Sequence, residues 1–321
     1  MPGRVPPVQI PDDYRVFAAS DLHGQLRATD RLLAAAGLTD GGGAWTAPPR
    51  TALVVTGDLV DRGPDSVGLV RRLVALRDQA AAAGSMVVLL EGNHEVQVLG
   101  GLAGVPEIQR ALWVFGGAAT MVSAGLPSDG WADRPAEETA AALAEAAPGF
   151  LDDLWGFAPY ARWRQTLFVH GGPVPGQELD AFEASARRLW IRRDFFLSEH
   201  RFPDHEVWHP YRTDGARQVV FGHTPQPEAT LYHGDRALNV DTWKGGQVTL
   251  AALPDGEDLR DTRTYTEPAE PRAVRDAPVT SDEIAVLDAG LPAVVDAWWE
   301  AARGPRRQVP GARPDQPHPA S

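Results

Sequence analysis

Along the chain, short apolar runs alternate with stretches whose apolar residues recur every three or four positions. The runs Tyr14–Ser20, Ala52–Thr56, Met86–Leu90, Thr166–Val169 and Gln218–Phe221 are almost continuously apolar, the pattern of strands buried on both faces. Between the first three lie helix-like stretches. Leu26–Gly37 ends on a glycine suited to a C-cap, and Ser66–Gly84 carries Val67, Val70, Leu73, Val74 and Leu76. Strand–helix–strand alternation predicts an α/β fold with a mostly parallel sheet and helices outside it. In such sheets, ligands sit beyond the carboxyl ends of the strands.

Two regions depart from this pattern. Pro127–Pro148 is rich in Ala and Glu and predicts an exposed loop and helix. From Pro254 the chain becomes rich in Pro, Asp and Arg. Within it, Ser281–Arg303 predicts one helix with Ser281 as N-cap and Ile284, Leu287, Leu291, Val294, Val295 and Trp298 along one side. Trp298 and Trp299 would pack it onto the domain, and the Gly290-Leu291-Pro292 step predicts a kink or division. The expected organisation is a flexible N-terminus over 1–13, a main domain over 14–253 with an insertion at about 96–161, an extension over 254–303 and a disordered tail over 304–321.

Composition narrows the chemistry. With 321 residues, 43% apolar and 23% charged, the chain has material for a sizeable core. It has no apolar run of membrane-spanning length and no N-terminal apolar stretch of signal-peptide length, so no membrane association and a cytoplasmic location are expected. There are no cysteines, so any metal must be held by oxygen and imidazole ligands. A net charge of −13 argues against duplex nucleic acid as a partner. It leaves room for a small phosphorylated substrate, because bound dications make a cleft locally positive.

Five polar blocks follow the strands in order: Ser20-Asp21-Leu22-His23-Gly24, Gly57-Asp58-Leu59-Val60-Asp61-Arg62-Gly63, Glu91-Gly92-Asn93-His94-Glu95, His170-Gly171-Gly172 and Gly222-His223-Thr224. Taken singly, each has a structural explanation, since Asp caps helices and Asn, His and Gly populate turns. Their conjunction points to chemistry, because four of the nine histidines fall in these blocks, all at strand ends beside Gly, Asp or Asn. Asp21 and His23 are two apart, so at an extended strand end they leave on one side. Asp58 can bridge two cations with its two oxygens. Asn93 offers an amide oxygen, and His170 and His223 offer imidazole nitrogens. That donor mixture suits manganese, iron or zinc better than calcium.

Other features have ordinary explanations. His200, His205 and His209 cluster in a loop, either lining a cleft or forming a third metal site. Gly41-Gly42-Gly43 lacks the Lys-Ser/Thr that follows in a P-loop and is expected to be a flexible loop.

The blocks resemble the phosphoprotein phosphatase branch of the calcineurin-like metallophosphoesterases, in the pattern DxH, GDxVDRG, GNHE, HGG and GHT from Arg15 to about Leu253. That branch includes bacterial serine/threonine protein phosphatases, symmetrical diadenosine-tetraphosphatases and Shewanella-like phosphatases. Trp113–Gly125 resembles the WxxNGGxxTxxSYG stretch of the first two, with Phe115 replacing Asn and Ala124 replacing Tyr. The resemblance implies a central β-sheet sandwich flanked by helices, with a helical insertion and a C-terminal extension.

It also implies roles. Asp21, His23 and Asp58 would hold one divalent ion, and Asp58, Asn93, His170 and His223 the other, with manganese first and iron or zinc as alternatives. A hydroxide bridging the ions would attack phosphorus. His94 would be the general acid, Asp61 would orient it, and Arg62 would clamp the phosphate. A second clamp is expected at Arg192, in Leu189-Trp190-Ile191-Arg192, or at its neighbour Arg193. Trp243 replaces the glycine of the family's Asp-Thr-Gly turn, either as a packing residue or as a platform for an aromatic leaving group. The substrate implied first is a phosphorylated protein, because Asp61 and the Glu91–Glu95 block match the protein-phosphatase form. The alternative is diadenosine tetraphosphate or another small phosphoester, and a third reading is a non-catalytic metal-binding scaffold.

Overall fold

Alternate residues of the apolar runs face two different cores, which is why the runs carry no polar side. The structure, a computed structural model, describes residues 5–173, 185–192, 217–232, 236–255, 258–274 and 280–302. In strand β2 (Arg15–Ala19), following the short β1 (Val8–Ile10), Val16 and Ala18 point into a core between two sheets. Phe17 and Ala19 point into a second core, under the helices. In β3 (Thr51–Val55), Ala52 and Val54 face the first core, Leu53 and Val55 the second. Two-sided burial of this kind favours continuous apolar sequence.

Between them runs α1 (Leu26–Ala35), and α2 (Ser66–Ala82) joins β3 to β4 (Met86–Leu89). Both helices stop just before a glycine in the left-handed region, Gly37 at φ 72° and Gly84 at φ 68°, a conformation that costs glycine little. Strands β2, β3 and β4 run parallel. Beyond β4 come α3 (Asn93–Leu102), α4 (Pro106–Val114), α5 (Gly117–Ser123), α6 (Ala136–Ala146) and α7 (Phe150–Trp155). The expected exposed loop and helix at Pro127–Pro148 therefore contains α6.

The single mostly parallel sheet expected from the alternation is instead two mixed sheets. After β5 (Ala161–Trp163) and β6 (Thr166–Phe168), the chain forms β7 (Gln218–Phe221), β8 (Thr230–Tyr232), β9 (Ala237–Asn239), β10 (Gln247–Ala252) and β11 (Arg263–Pro268). One sheet has the order β11-β10-β2-β3-β4, the other β1-β5-β6-β7-β9-β8. Antiparallel β10 lies against β2, so β6 and β7 cannot extend that sheet and open the second. The sandwich implied by the family resemblance is what forms. Phe168, Val220 and Leu238 of the second sheet meet Val16, Ala18, Ala52 and Val54 of the first. Strands β2, β3, β6, β7 and β9 point their carboxyl ends at one rim.

The extension ends in a helix over Ser281–Ala302, with Leu291, Val295 and Trp299 buried against Val96, Ile108 and Ala111 and against the short helix Arg187–Trp190. Trp298 and Leu287 are partly buried beside them, whereas Ile284 is exposed. Two expectations are corrected here. Ser281 is already helical, and the carbonyl of Thr280 accepts from Ile284 N–H at 3.1 Å, so the cap falls one residue earlier. The helix is also not divided at Pro292, which lies inside it. Burial of apolar residues on both sides of the proline offsets the hydrogen bond it cannot make to the Asp288 carbonyl. No helix among the described residues is long and apolar enough to cross a membrane. Arg193, the cluster His200, His205 and His209, and the tail 304–321 lie outside the described residues.

Pro292→Ala restores that bond and is expected to raise stability by about 1–3 kcal/mol. This would be seen as a higher thermal unfolding midpoint; a lower midpoint would show that the packed helix needs the proline ring.

Candidate metal centre

The rim is built from strand ends held in a conformation that side chains rarely adopt. Eight described non-glycine residues have positive φ, and six of them belong to the polar blocks: Asp21 (52°), His23 (38°), Asp58 (56°), Asp61 (70°), Arg62 (63°) and His223 (64°). Each such residue costs on the order of 1–3 kcal/mol and persists only where its surroundings fix it. Backbone bonds do so by continuing the β2–β3 ladder past its end: Asp21 N–H to Gly57 O (3.0 Å), His23 N–H to Asp58 O (2.9 Å) and Gly24 N–H to Leu59 O (2.7 Å). Gly92 must lack a side chain, because a Cβ there would collide with Asp58 Oδ1.

A buttress that the sequence reading did not assign is Glu95. Its Oε2 accepts from the N–H of Asp58 (2.9 Å) and Gly92 (2.7 Å), and its Oε1 from Leu59 (2.7 Å) and Val60 (3.3 Å). This carboxylate sets the Asp58 turn, although burial and the nearby Asp58 push its pKa up to about 7. A Gly-x-x-Glu pattern opening a helix is the local signal that could have found it.

Asp58 is the hub. Its Oδ1 lies 3.2 Å from His170 Nε2, and its Oδ2 lies 3.8 Å from both His23 Nε2 and His94 Nε2. Burial alone would raise the Asp58 carboxyl, but His170 and His94 outweigh it and hold the group well below the usual range. Its partner His170 is shifted the other way: burial lowers it, Asp58 raises it more, and it reaches about 9. His23, His94 and His170 each direct Nδ1 at an acceptor: Val60 O at 2.7 Å, Asp61 Oδ2 at 2.8 Å and Thr56 O at 2.8 Å. With Nδ1 donating, Nε2 of all three faces inward, the arrangement that orients imidazole for a metal or a proton.

Two sets of ligand atoms lie within 4.8 Å of one another, His23–Asp58–His94 and Asp58–His170–His223, and Asp58 is common to both. Asn93 Oδ1 is 2.9 Å from His170 Nε2. Asp21 lies outside both triples. Its Oδ2 accepts from Ser20 Oγ at 2.6 Å and from His223 N–H at 2.9 Å, and burial together with Asp58 pushes its pKa up to about 6. His223 is held well below its usual range by burial and by Arg192, and its buried Nε2 has no hydrogen-bond partner among the described residues. An orphaned imidazole nitrogen, a shared carboxylate and inward Nε2 atoms fit divalent first-row ions.

His94 and Asp61 form a buried pair. Burial raises Asp61 well above the usual range, against the Thr120 Oγ1 bond at 2.6 Å. Burial and Arg62 hold His94 well below its own. Asp61 N–H is bonded by both Ser66 Oγ and Thr120 Oγ1, each at 3.0 Å. The Trp113–Gly125 stretch thus serves this turn: Gly116 O accepts from Arg62 N–H at 3.3 Å, and Ser123 Oγ accepts from Val67 N–H at 3.1 Å. Phe115 sits edge-on to His94 with ring centroids 6.4 Å apart.

The Arg62 guanidinium reaches into the centre, with Nη1 2.8 Å from His23 Nε2 and Nη2 2.9 Å from His94 Nε2. A cation on His23 would have to displace Nη1. Arg192 Nη1 donates to His223 O at 2.7 Å. Trp243 packs edge-on against His23 with centroids 5.3 Å apart, and its Nε1–H donates to the Asp21 carbonyl. Its backbone N–H is held by Asp241 Oδ1 at 3.1 Å. The ring supports the Asp21–His23 strand end.

Comparison with known proteins gives a consistent picture. The family model described as calcineurin-like phosphoesterase matches residues 14–250. A symmetrical bis(5'-nucleosyl)-tetraphosphatase of Chromohalobacter salexigens is 30% identical over 251 residues, covering 65% of this chain and 87% of that protein. Shewanella-like protein phosphatase 2 of Arabidopsis thaliana is 34% identical over 87 residues, 27% of this chain, and that match spans only 22% of its length. The solved cold-active protein-tyrosine phosphatase of a psychrophilic Shewanella species shares the fold, with a TM-score of 0.55 at 21% identity over 83% of each chain.

Glu95→Gln keeps the shape but sets an amide N–H₂ against two backbone N–H groups. It is expected to cost about 2–3 kcal/mol through the buried donors left unpaired, read as a lower unfolding midpoint. An unchanged midpoint would mean the Asp58 turn is held by other contacts.

Proposed function

The chain belongs to the calcineurin-like phosphoesterases, and from that premise we propose that it is a metal-dependent hydrolase of phosphate esters. The observation that carries this reading is the buried His94–Asp61 pair, 2.8 Å apart, set against the Asp58-centred cluster and bonded to Arg62. A metal-binding scaffold would need the cluster but has no use for an oriented imidazole beside an arginine.

Asp21, His23, Asp58, Asn93, His170 and His223 would hold two divalent ions, manganese first. Bound there, the ions would supply Lewis-acid charge at the phosphoryl oxygens and an acidified water. Arg62 binds the phosphoryl oxygens as a planar fork, moving from the two imidazoles on which it rests; Lys would present only a point charge. Arg192, on the other side of His223, is the second clamp. His94 keeps its Nδ1 proton on Asp61 and presents Nε2 to the centre, so to act as the acid it would first take up a second proton at Nε2, once Arg62 has moved onto the phosphate, and pass that proton to the leaving oxygen. Asp61, fixed by Thr120 and Ser66, keeps the ring in that orientation. Because His94 Nε2 is also 3.8 Å from Asp58 Oδ2, metal content separates the roles of acid and ligand.

Phosphoserine and phosphothreonine esters in proteins are the first substrate class, on the strength of Asp61 and the Glu91–Glu95 block, with the cytoplasm as the place of action. Diadenosine tetraphosphate is the second, favoured by the long match to the Chromohalobacter protein.

His94→Ala is expected to lower kcat by about 10²–10⁴-fold with p-nitrophenyl phosphate and manganese while metal content stays at the wild-type level. Loss of metal would make His94 a ligand. Wild-type protein inactive with manganese, iron and zinc alike would overturn the hydrolase reading. Specificity constants for a phosphopeptide and diadenosine tetraphosphate, measured side by side, decide the class: a hundredfold preference for the dinucleotide would reject the first.

A further inference from the structure

The C-terminal helix Ser281–Ala302 lies outside the stretch matched by the family model, yet it reaches the candidate phosphate clamp. Its docked face carries Leu291, Val295 and Trp299, spaced four apart. Two polar contacts follow the same face. Asp296 Oδ1 accepts from Ala186 N–H at 2.6 Å, and the Arg188 guanidinium stacks 5.3 Å from the Trp299 ring centroid. These contacts hold the stretch that carries Arg192.

Leu287 continues the seam one turn before Leu291, and next to it in sequence stands Asp288. Its Oδ2 is 3.5 Å from Arg192 Nε, with the two side chains 24% and 38% exposed. Arg192 Nη1 is at the same time on the carbonyl of His223. Asp288 therefore faces the metal centre across a single guanidinium. Burial raises the Asp288 carboxyl, while Arg192 and, from further off, Arg62 pull it back.

The pair is not what docks the helix. A partly exposed ion pair contributes little to stability, whereas three buried apolar side chains and the Asp296–Ala186 bond already fix the helix. What the pair does is place a negative charge beside a cation that would receive a phosphate. We propose that Asp288 sets the anion affinity of the phosphoryl site: its carboxylate competes with the incoming phosphoryl group for Arg192, so the C-terminal extension weakens binding of free anions. This rests on the reading of Arg192 as a phosphate clamp. An anion bound at Arg192 must share the guanidinium with Asp288 or displace it, and in both cases meets the repulsion of a like charge. The consequence is weak retention of inorganic phosphate, the product of ester hydrolysis.

The test is calorimetric titration of inorganic phosphate into the full-length, manganese-loaded protein, so the readout is binding rather than turnover. Asp288→Asn is expected to tighten phosphate binding about fivefold, the upper end for one partly exposed charge pair. Asp288→Glu, which keeps the charge, is expected to stay within twofold of wild type. In an Arg192→Ala background the Asp288→Asn effect should fall within twofold, because the competition acts through Arg192. Unchanged or weaker binding in Asp288→Asn, or the same fivefold gain without Arg192, would overturn the proposal. Unaltered binding in Arg192→Ala alone would instead remove Arg192 from the clamp, and the proposal with it. Thermal unfolding of each variant, expected within a few degrees of wild type, distinguishes these outcomes from a displaced helix.

Discussion

The contact on which the site depends is the one between Asp58 and His170, 3.2 Å apart and both fully buried. The first residue ends a strand of one sheet and the second ends a strand of the other. A carboxylate isolated in the interior would be too costly to keep ionised. It stays ionised because imidazoles surround it, and these come from both halves of the sandwich: His23 and His94 from one side, His170 and His223 from the other. The apolar packing of Val16, Ala18, Ala52 and Val54 on Phe168, Val220 and Leu238 sets the distance across which this exchange of charge occurs. Core and chemistry are thus one construction, since sliding the sheets would strand Asp58 without its counter-charge.

Holding the hub in place requires strained backbone at six block residues, and the structure supplies a fixing contact for each turn. Glu95 gathers the N–H groups around Asp58, Thr120 and Ser66 bind Asp61, Gly116 receives the Arg62 N–H, and Trp243 holds the Asp21 carbonyl. Several of these partners lie in the helical insertion or beyond β9, far along the chain from the residues they serve.

That distance explains what could be read from the sequence. The strands were legible because apolar runs are local, and Asp21, His23, Asp58, Asn93, His94, His170 and His223 were legible because each sits in a short block beside glycine at a strand end. The split into two sheets was not, because it follows from β10 returning to lie beside β2. Nor were Glu95 under Asp58, Thr120 on Asp61 or Asp288 beside Arg192, since each partnership is made by tertiary packing between residues tens of positions apart. Pro292 misled for the same reason: local chemistry argues for a break, and burial of Leu291 and Val295 overrides it.

The central claim is that one carboxylate serves two metal sites. Metal stoichiometry of the Asp58→Asn variant, measured by atomic emission on protein loaded with manganese and freed of excess metal, tests it most directly. An amide keeps one coordinating oxygen but cannot bridge two cations. Wild-type protein is expected to retain two ions and the variant to lose both in parallel as free metal is lowered. A variant that holds one ion as tightly as wild type while losing the other would contradict the shared role, and one that holds both would remove Asp58 from the centre.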